Sequence, residues 1–160
     1  MLELSEEQKQ RLMQGHADGE ALPDVPTGSV NVGAGGLYST PNDLLSWVQW
    51  HLDRFGENGA EARLLDHSLY LIRDELETVS GMDESGHMDA MALAWVAMMP
   101  KDDRPFILQK AGGLQGIFSY LAFAPMRGVA VFVAINTYDF AAAMDMAEVA
   151  NDLIATLAPR

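Results

Sequence analysis

A chain of 160 residues that is 49% apolar can bury a hydrophobic core and is too apolar to stay globally disordered. Its 23 acidic and 10 basic residues give a formal net charge of −13, which repels phosphate backbones and anionic lipid and argues against nucleic-acid or membrane-surface binding. Cysteine is absent, which excludes disulfides, thiolate catalysis and Cys-based zinc sites, and no apolar run is long enough to span a membrane.

Residues 1–10 are polar and helical in character, not a signal peptide. Ser5-Glu6-Glu7-Gln8 is a capping-box pattern that predicts a helix running to about Gln14. Residues 15–32 carry Gly, Pro, Asp and Ser without a period and read as loop, and Gly33-Ala34-Gly35-Gly36 reads as flexible backbone suited to close approach. Thr40-Pro41-Asn42-Asp43 opens a helix: Thr40 caps it, Pro41 takes the first position, and Asp43 complements the positive end of the dipole. Its apolar stripe is Leu44, Val48 and Leu52, widened by Leu45 and Trp47, and Gly56 and Gly59 are expected to end it. A second helix is expected over residues 66–74, then a polar loop over 75–89.

From Ala90 onward the pattern is strands: residues 91–99, 106–110, 116–123 and 129–136, separated by Pro100-Lys101-Asp102-Asp103, Gly112-Gly113 and residues 124–128. These gaps are short enough for hairpins, so an antiparallel meander is predicted. A helix over residues 140–158 closes the chain, with Met146, Ala150, Leu153 and Leu157 as its packing stripe beside Ala143, Ala147 and Ile154. The expected fold is α+β in a single domain, residues 1–160. Helices and loops occupy 1–89; 90–160 form three to four antiparallel strands under a long C-terminal helix.

Few residues carry chemistry on their own. His16, His51, His67 and His87 share no metal-ligand spacing; Asp66-His67 and Gly86-His87 read as surface loop, so no metal or other cofactor is expected. Gly33–Gly36 lacks a preceding strand and has Tyr38 where a dinucleotide fingerprint needs Gly or Ala. A Gly-x-Ser-x-Gly elbow is absent. The ten methionines and Trp47, Trp50 and Trp95 read as core filling.

Two motifs, in order, carry a resemblance. Gly35-Gly36-Leu37-Tyr38-Ser39-Thr40-Pro41-Asn42-Asp43-Leu44 is similar to the Gly-Gly-x-x-Ser-Thr-x-x-Asp-Leu helix start of class C-type β-lactamases and related carboxypeptidases and esterases. Lys110-Ala111-Gly112-Gly113 resembles the Lys-Thr-Gly strand of that superfamily. Residues 116–125, a glycine, an aromatic strand and a proline turn, and then a strand ending in Asn136, resemble the superfamily's next elements. The resemblance runs over nearly the whole chain and implies the C-terminal part of a β-lactamase/transpeptidase-like domain. The superfamily's Ser-x-x-Lys nucleophile helix and its Tyr-x-Asn or Ser-x-Asn element precede this region. No serine here is followed by lysine at the third position, and no tyrosine by asparagine two residues on.

The resemblance implies that Lys110 is the catalytic-site cation, attracting a substrate carboxylate and a developing oxyanion, with Ala111, Gly112 and Gly113 lining the substrate pocket and a backbone N–H near Gly113 as an oxyanion donor. Ala111 stands where threonine is usual, which disfavours efficient β-lactam hydrolysis and favours a peptidase- or esterase-like member. The chain is therefore expected to be an inactive fragment of a periplasmic or secreted hydrolase. Its expected partners are a peptidoglycan peptide or β-lactam-like molecule and the missing N-terminal part of the same protein. The alternative is a non-catalytic binding or self-associating module, forming a homodimer through the last strand.

Overall fold

The computed structural model of the chain describes residues 4–24, 32–77 and 87–160. The capping box forms as expected: Ser5 Oγ accepts from the Gln8 amide, and the Gln8 side chain accepts from the Ser5 amide at 2.9 Å. Helix α1 is nevertheless one short turn-and-a-half, Glu6–Gln10, because it buries no residue and so has only local bonds to sustain it. Two dipeptide strands come next, β1 (His16–Ala17) and β2 (Glu20–Ala21), paired antiparallel.

The segment expected to be flexible instead contains a helical turn, α2 (Val32–Gly35). Helix α3 (Pro41–Leu52) starts as predicted, with Thr40 Oγ1 accepting from the Asp43 amide at 3.2 Å. It stops at Asp53, three residues before Gly56. The second helix is displaced from its expected place: α4 spans Ala60–His67, starting after Gly59, whose φ of +74° is a left-handed conformation that glycine accepts without strain. Residues 68–75 are thus not helix but a link, strand β3 (Leu71–Ile72) and a 3₁₀ turn (Arg73–Glu75). Most of the expected polar loop falls on residues 78–86, outside the described part.

The single strand expected over 91–99 is a hairpin, β4 (Ala90–Met91) and β5 (Val96–Met98), folded where the Ala92 amide donates to the Trp95 carbonyl. Strand β6 (Ile107–Leu114) runs straight through Gly112-Gly113, so that pair is strand and not the anticipated turn. The turn is Gln115-Gly116, with φ of +51° and +74°, the two left-handed residues of a type I′ hairpin. Strands β7 (Ile117–Ala124) and β8 (Val129–Ile135) complete an antiparallel sheet in the order β3-β4-β5-β6-β7-β8, and helix α5 (Phe140–Leu157) closes the chain. The predicted α+β meander under a C-terminal helix is present, extended by the short strands β3 and β4.

Strand alternation divides the core in two. Leu108, Leu121 and Phe123 pack with Val48 of α3 and Trp95 on one face. Ile107, Tyr120 and Ala122 pack with Ala147, Ala150 and Ile154 of α5 on the other. The buried stripe of α5 is rotated from the predicted one: Leu153 and Leu157 are exposed, and Asn151 is buried in their stead. Methionine usage is likewise mixed; Met88 and Met98 are core residues, whereas Met13, Met99, Met126 and Met144 are exposed, as is Trp47.

Candidate functional site

The hairpin turn dictates which backbone groups of β6 are free. In a two-residue type I′ hairpin the flanking pair, Leu114 and Ile117, exchanges both backbone hydrogen bonds. Alternation then turns Gly112, Lys110 and Leu108 toward β7, and Gly113, Ala111, Gln109 and Ile107 toward the opposite edge. Strand β5 covers that edge only from Ile107 to Gln109, because its first residue, Val96, stands opposite Gln109. The N–H groups of Ala111 and Gly113 therefore point outward from an edge on which, among the described residues, no strand is paired.

A cleft of about 240 Å³ wraps this edge, lined by Gln109 to Gly113 on one side and by Phe140, Ala143 and Met144 of α5 on another. Lys110 is exposed and, among the described residues, is the only charged one lining it. No described carboxylate lies within ion-pair distance of its ammonium group. The four residues named from sequence, Lys110, Ala111, Gly112 and Gly113, thus share one concave surface. A second, larger cleft of about 620 Å³, bordered by Leu12, Leu22, Leu37 and Tyr38, meets the first at Gly112, Gly113 and Ser119.

A Cβ on Gly113 would lie 2.7 Å from the ring of Phe118, its cross-strand partner, so the glycine is needed to seat that ring. A Cβ on Gly112 would stand 3.2 Å from Ser119 Oγ. The clefts also hold groups that sequence reading missed. Gln109 is 1% exposed, lines the first cleft, and neither its amide nitrogen nor its oxygen has a hydrogen-bond partner among the described residues. At the second cleft the Tyr38 hydroxyl donates to Asp24 Oδ2 at 2.9 Å; that bond, with burial and the carboxylate's charge, raises the phenol pKa.

The histidines do not behave as four unrelated surface residues. His51 is buried on α3 and meets His67 at the end of α4, with Nδ1 and Nε2 2.9 Å apart, and Asp66 lies beside both. Their separation in sequence crosses the end of one helix and the whole of another, so no local spacing motif announces the cluster. Asp66 is anchored in turn by Trp95 Nε1, which donates to Oδ2 at 2.8 Å. Neither cleft includes these residues.

Comparison with known proteins places this geometry. The family profile described as Beta-lactamase matches residues 2–156. The D-alanyl-D-alanine-carboxypeptidase/endopeptidase AmpH of Escherichia coli K12 is 36% identical over 127 residues, covering 79% of this chain and 33% of that protein; AmpH of E. coli O157:H7 matches equally. The chain thus spans about a third of the length of these curated relatives. Among solved structures, a β-lactamase/D-alanine carboxypeptidase from Yersinia pestis, complexed with citrate, superposes with a TM-score of 0.76 at 35% identity, covering 98% of this chain and 43% of that one.

Proposed function

The chain belongs to the β-lactamase family, within the superfamily of serine β-lactamases and penicillin-binding proteins, and from that membership we propose that β6 lines the acyl-binding groove of a serine hydrolase acting on D-alanyl-D-alanine peptides, β-lactams or related esters. The observation that carries this reading is the edge of β6 beyond Gln109, which no described strand covers: its outward N–H groups border a cleft that is also lined by Lys110, a residue with no ion-pair partner among the described residues. Such an edge is a fixed dipole array. It can stabilise charge on a carbonyl oxygen without reorganising during the reaction.

In the proposed cycle a serine oxygen bonds to the substrate carbonyl carbon and its proton passes to a base. The carbonyl π pair becomes an oxyanion that accepts from the Gly113 N–H. Collapse breaks the bond to the leaving amine or alcohol, which takes up the proton, and water then releases the acid by the same route. The Lys110 ammonium attracts the substrate carboxylate. The nucleophile is assigned to the intact protein outside these residues, since no Ser-x-x-Lys occurs here. Ala111, in the place of a threonine hydroxyl, favours peptide or ester substrates over β-lactams. A periplasmic or secreted location fits a peptidoglycan substrate; no described helix is long and apolar enough to cross a membrane.

The test is covalent labelling with a fluorescent penicillin, read on a denaturing gel. The 160-residue chain alone is expected to give no labelled band, and adding an N-terminal fragment with Ser-x-x-Lys to restore one. Lys110→Ala should then reduce labelling sharply. A band from the chain alone, or labelling indifferent to Lys110→Ala, refutes the proposal.

One observation supports the second reading, a self-associating non-catalytic module: among the described residues β8 is the terminal strand of the sheet, with no strand paired to its outer edge, and none of its residues is fully buried. An open edge of this kind pairs readily with a second copy. Light scattering that finds only monomer at high concentration eliminates it.

A further inference from the structure

His51 leaves the buried face of α3, and Asp66 and His67 end α4, so the two helices bring three donor atoms to one point. Asp66 Oδ2 lies 3.6 Å from His51 Nδ1 and 3.9 Å from His67 Nε2, which are themselves 2.9 Å apart. The circle through three points with these separations has a radius of about 2.0 Å, the length of a bond from zinc to imidazole nitrogen or carboxylate oxygen. We propose that His51, Asp66 and His67 bind one divalent metal ion of the zinc class, tying the end of α3 to the end of α4.

The ligand set suits that ion: two imidazoles are borderline donors and zinc also accepts one carboxylate oxygen, whereas hard cations such as magnesium or calcium demand more oxygen. The outward side is open for a fourth ligand, since the His67 and Asp66 side chains keep 17% and 23% of their exposure while His51 keeps 2%. Both imidazoles are available as neutral ligands, because burial lowers their pKa values, that of His51 to about 4. Trp95 supplies the outer support that metal-bound carboxylates need, by its bond to Asp66. His51 itself is fixed in a cage of rings, with Trp47, Trp50 and Trp95 edge-on to it at centroid distances of 4.5, 4.8 and 5.3 Å.

The same atoms admit a metal-free arrangement, one imidazole N–H donating to the other ring. The two differ at His51 Nε2, a buried atom with no hydrogen-bond partner among the described residues. In the metal-free pair it is a bare lone pair if Nδ1 carries the proton. With metal on Nδ1 it becomes an N–H among aromatic rings, which accept such donors weakly. Ion binding therefore has to exceed the loss of one imidazole–imidazole hydrogen bond. None of this involves the β6 cleft, so the site stands or falls independently of the hydrolase reading.

The experiment uses the full 160-residue chain without a histidine tag, stripped with EDTA and titrated with Zn²⁺ against a chromophoric chelator. One equivalent should bind at micromolar affinity or tighter, and Co²⁺ should produce the visible ligand-field band of a four-coordinate site. His67→Gln and Asp66→Asn, both partly exposed positions, should each weaken binding by about tenfold or more, with far-UV circular dichroism unchanged. His16→Gln and His87→Gln should bind normally. Zn²⁺ should raise the unfolding midpoint of the parent chain and not of the two ligand variants. Absence of one-to-one binding, or affinity unchanged in both ligand variants, overturns the proposal.

Discussion

The Tyr120 hydroxyl donates to Asn151 Oδ1 at 3.0 Å across the buried junction of β7 and α5. It is the polar pin of an otherwise apolar contact formed by Ala122, Ala147, Ala150 and Ile154. Burial pushes the phenol pKa well above its ordinary value, so the group remains a neutral donor at any working pH. Tyr120→Phe leaves the Asn151 oxygen buried without a donor and should cost about 1–3 kcal/mol in urea unfolding. Tyr120→Phe combined with Asn151→Leu should recover part of the loss, since both polar partners are then gone; equal losses in single and double variants would contradict this account.

Gln109 presents the opposite case. Its amide is buried and unpartnered among the described residues, and desolvation of such a group costs about 1–3 kcal/mol. Gln109→Leu, of similar volume, should raise the urea midpoint by the equivalent of about 1 kcal/mol. A fall in stability would mean that the amide has a partner in solution.

Acid should weaken the fold through the paired imidazoles. Burial drives the His51 pKa down to about 4, His67 and Arg63 adding to the effect and Asp66 opposing it; His67 is lowered for related reasons, with burial first. Unfolding restores both to about 6.5. Between those values the unfolded chain binds more protons, so stability is complete above about pH 6.5 and falls as the pH drops toward 4. For His51 the full loss is on the order of 3 kcal/mol. Urea midpoints measured in EDTA at pH 7.5 and pH 5 should differ more in the parent chain than in His67→Gln.

Gly116 and Gly128 share a left-handed backbone, with φ of +74° and +71°, but not their surroundings. A Cβ on Gly116 would lie 2.6 Å from the His16 carbonyl oxygen, and one on Gly128 would touch nothing within 4 Å. Gly128→Ala should cost only the backbone strain, about 1–2 kcal/mol. Gly116→Ala should cost more and should also loosen the segment that holds β1 against Asn136 and Tyr138, where the His16 amide donates to the Asn136 carbonyl at 3.0 Å. Faster proteolysis near residues 12–22 in Gly116→Ala alone would verify it.

What the amino-acid sequence determined was whatever depends on near neighbours. The Thr40 cap, the capping box at Ser5, the meander from Ala90 and the C-terminal helix are written in two- to four-residue signals whose energetics are local. The family motifs also marked β6 and the residues that share its cleft. Tertiary structure decided the rest. The two glycines after Lys110 read as a turn until the ring of Phe118 is seen seated on Gly113. The helix expected over 66–74 starts six residues earlier, because its ends are set by Gly59 and by packing, not by apolar period. Among the described residues the edge of β6 beyond Gln109 is free because β5 is short. His51, Asp66 and His67 belong to two different helices; only the folding of both against Trp95 and Phe123 brings their donor atoms within one coordination sphere.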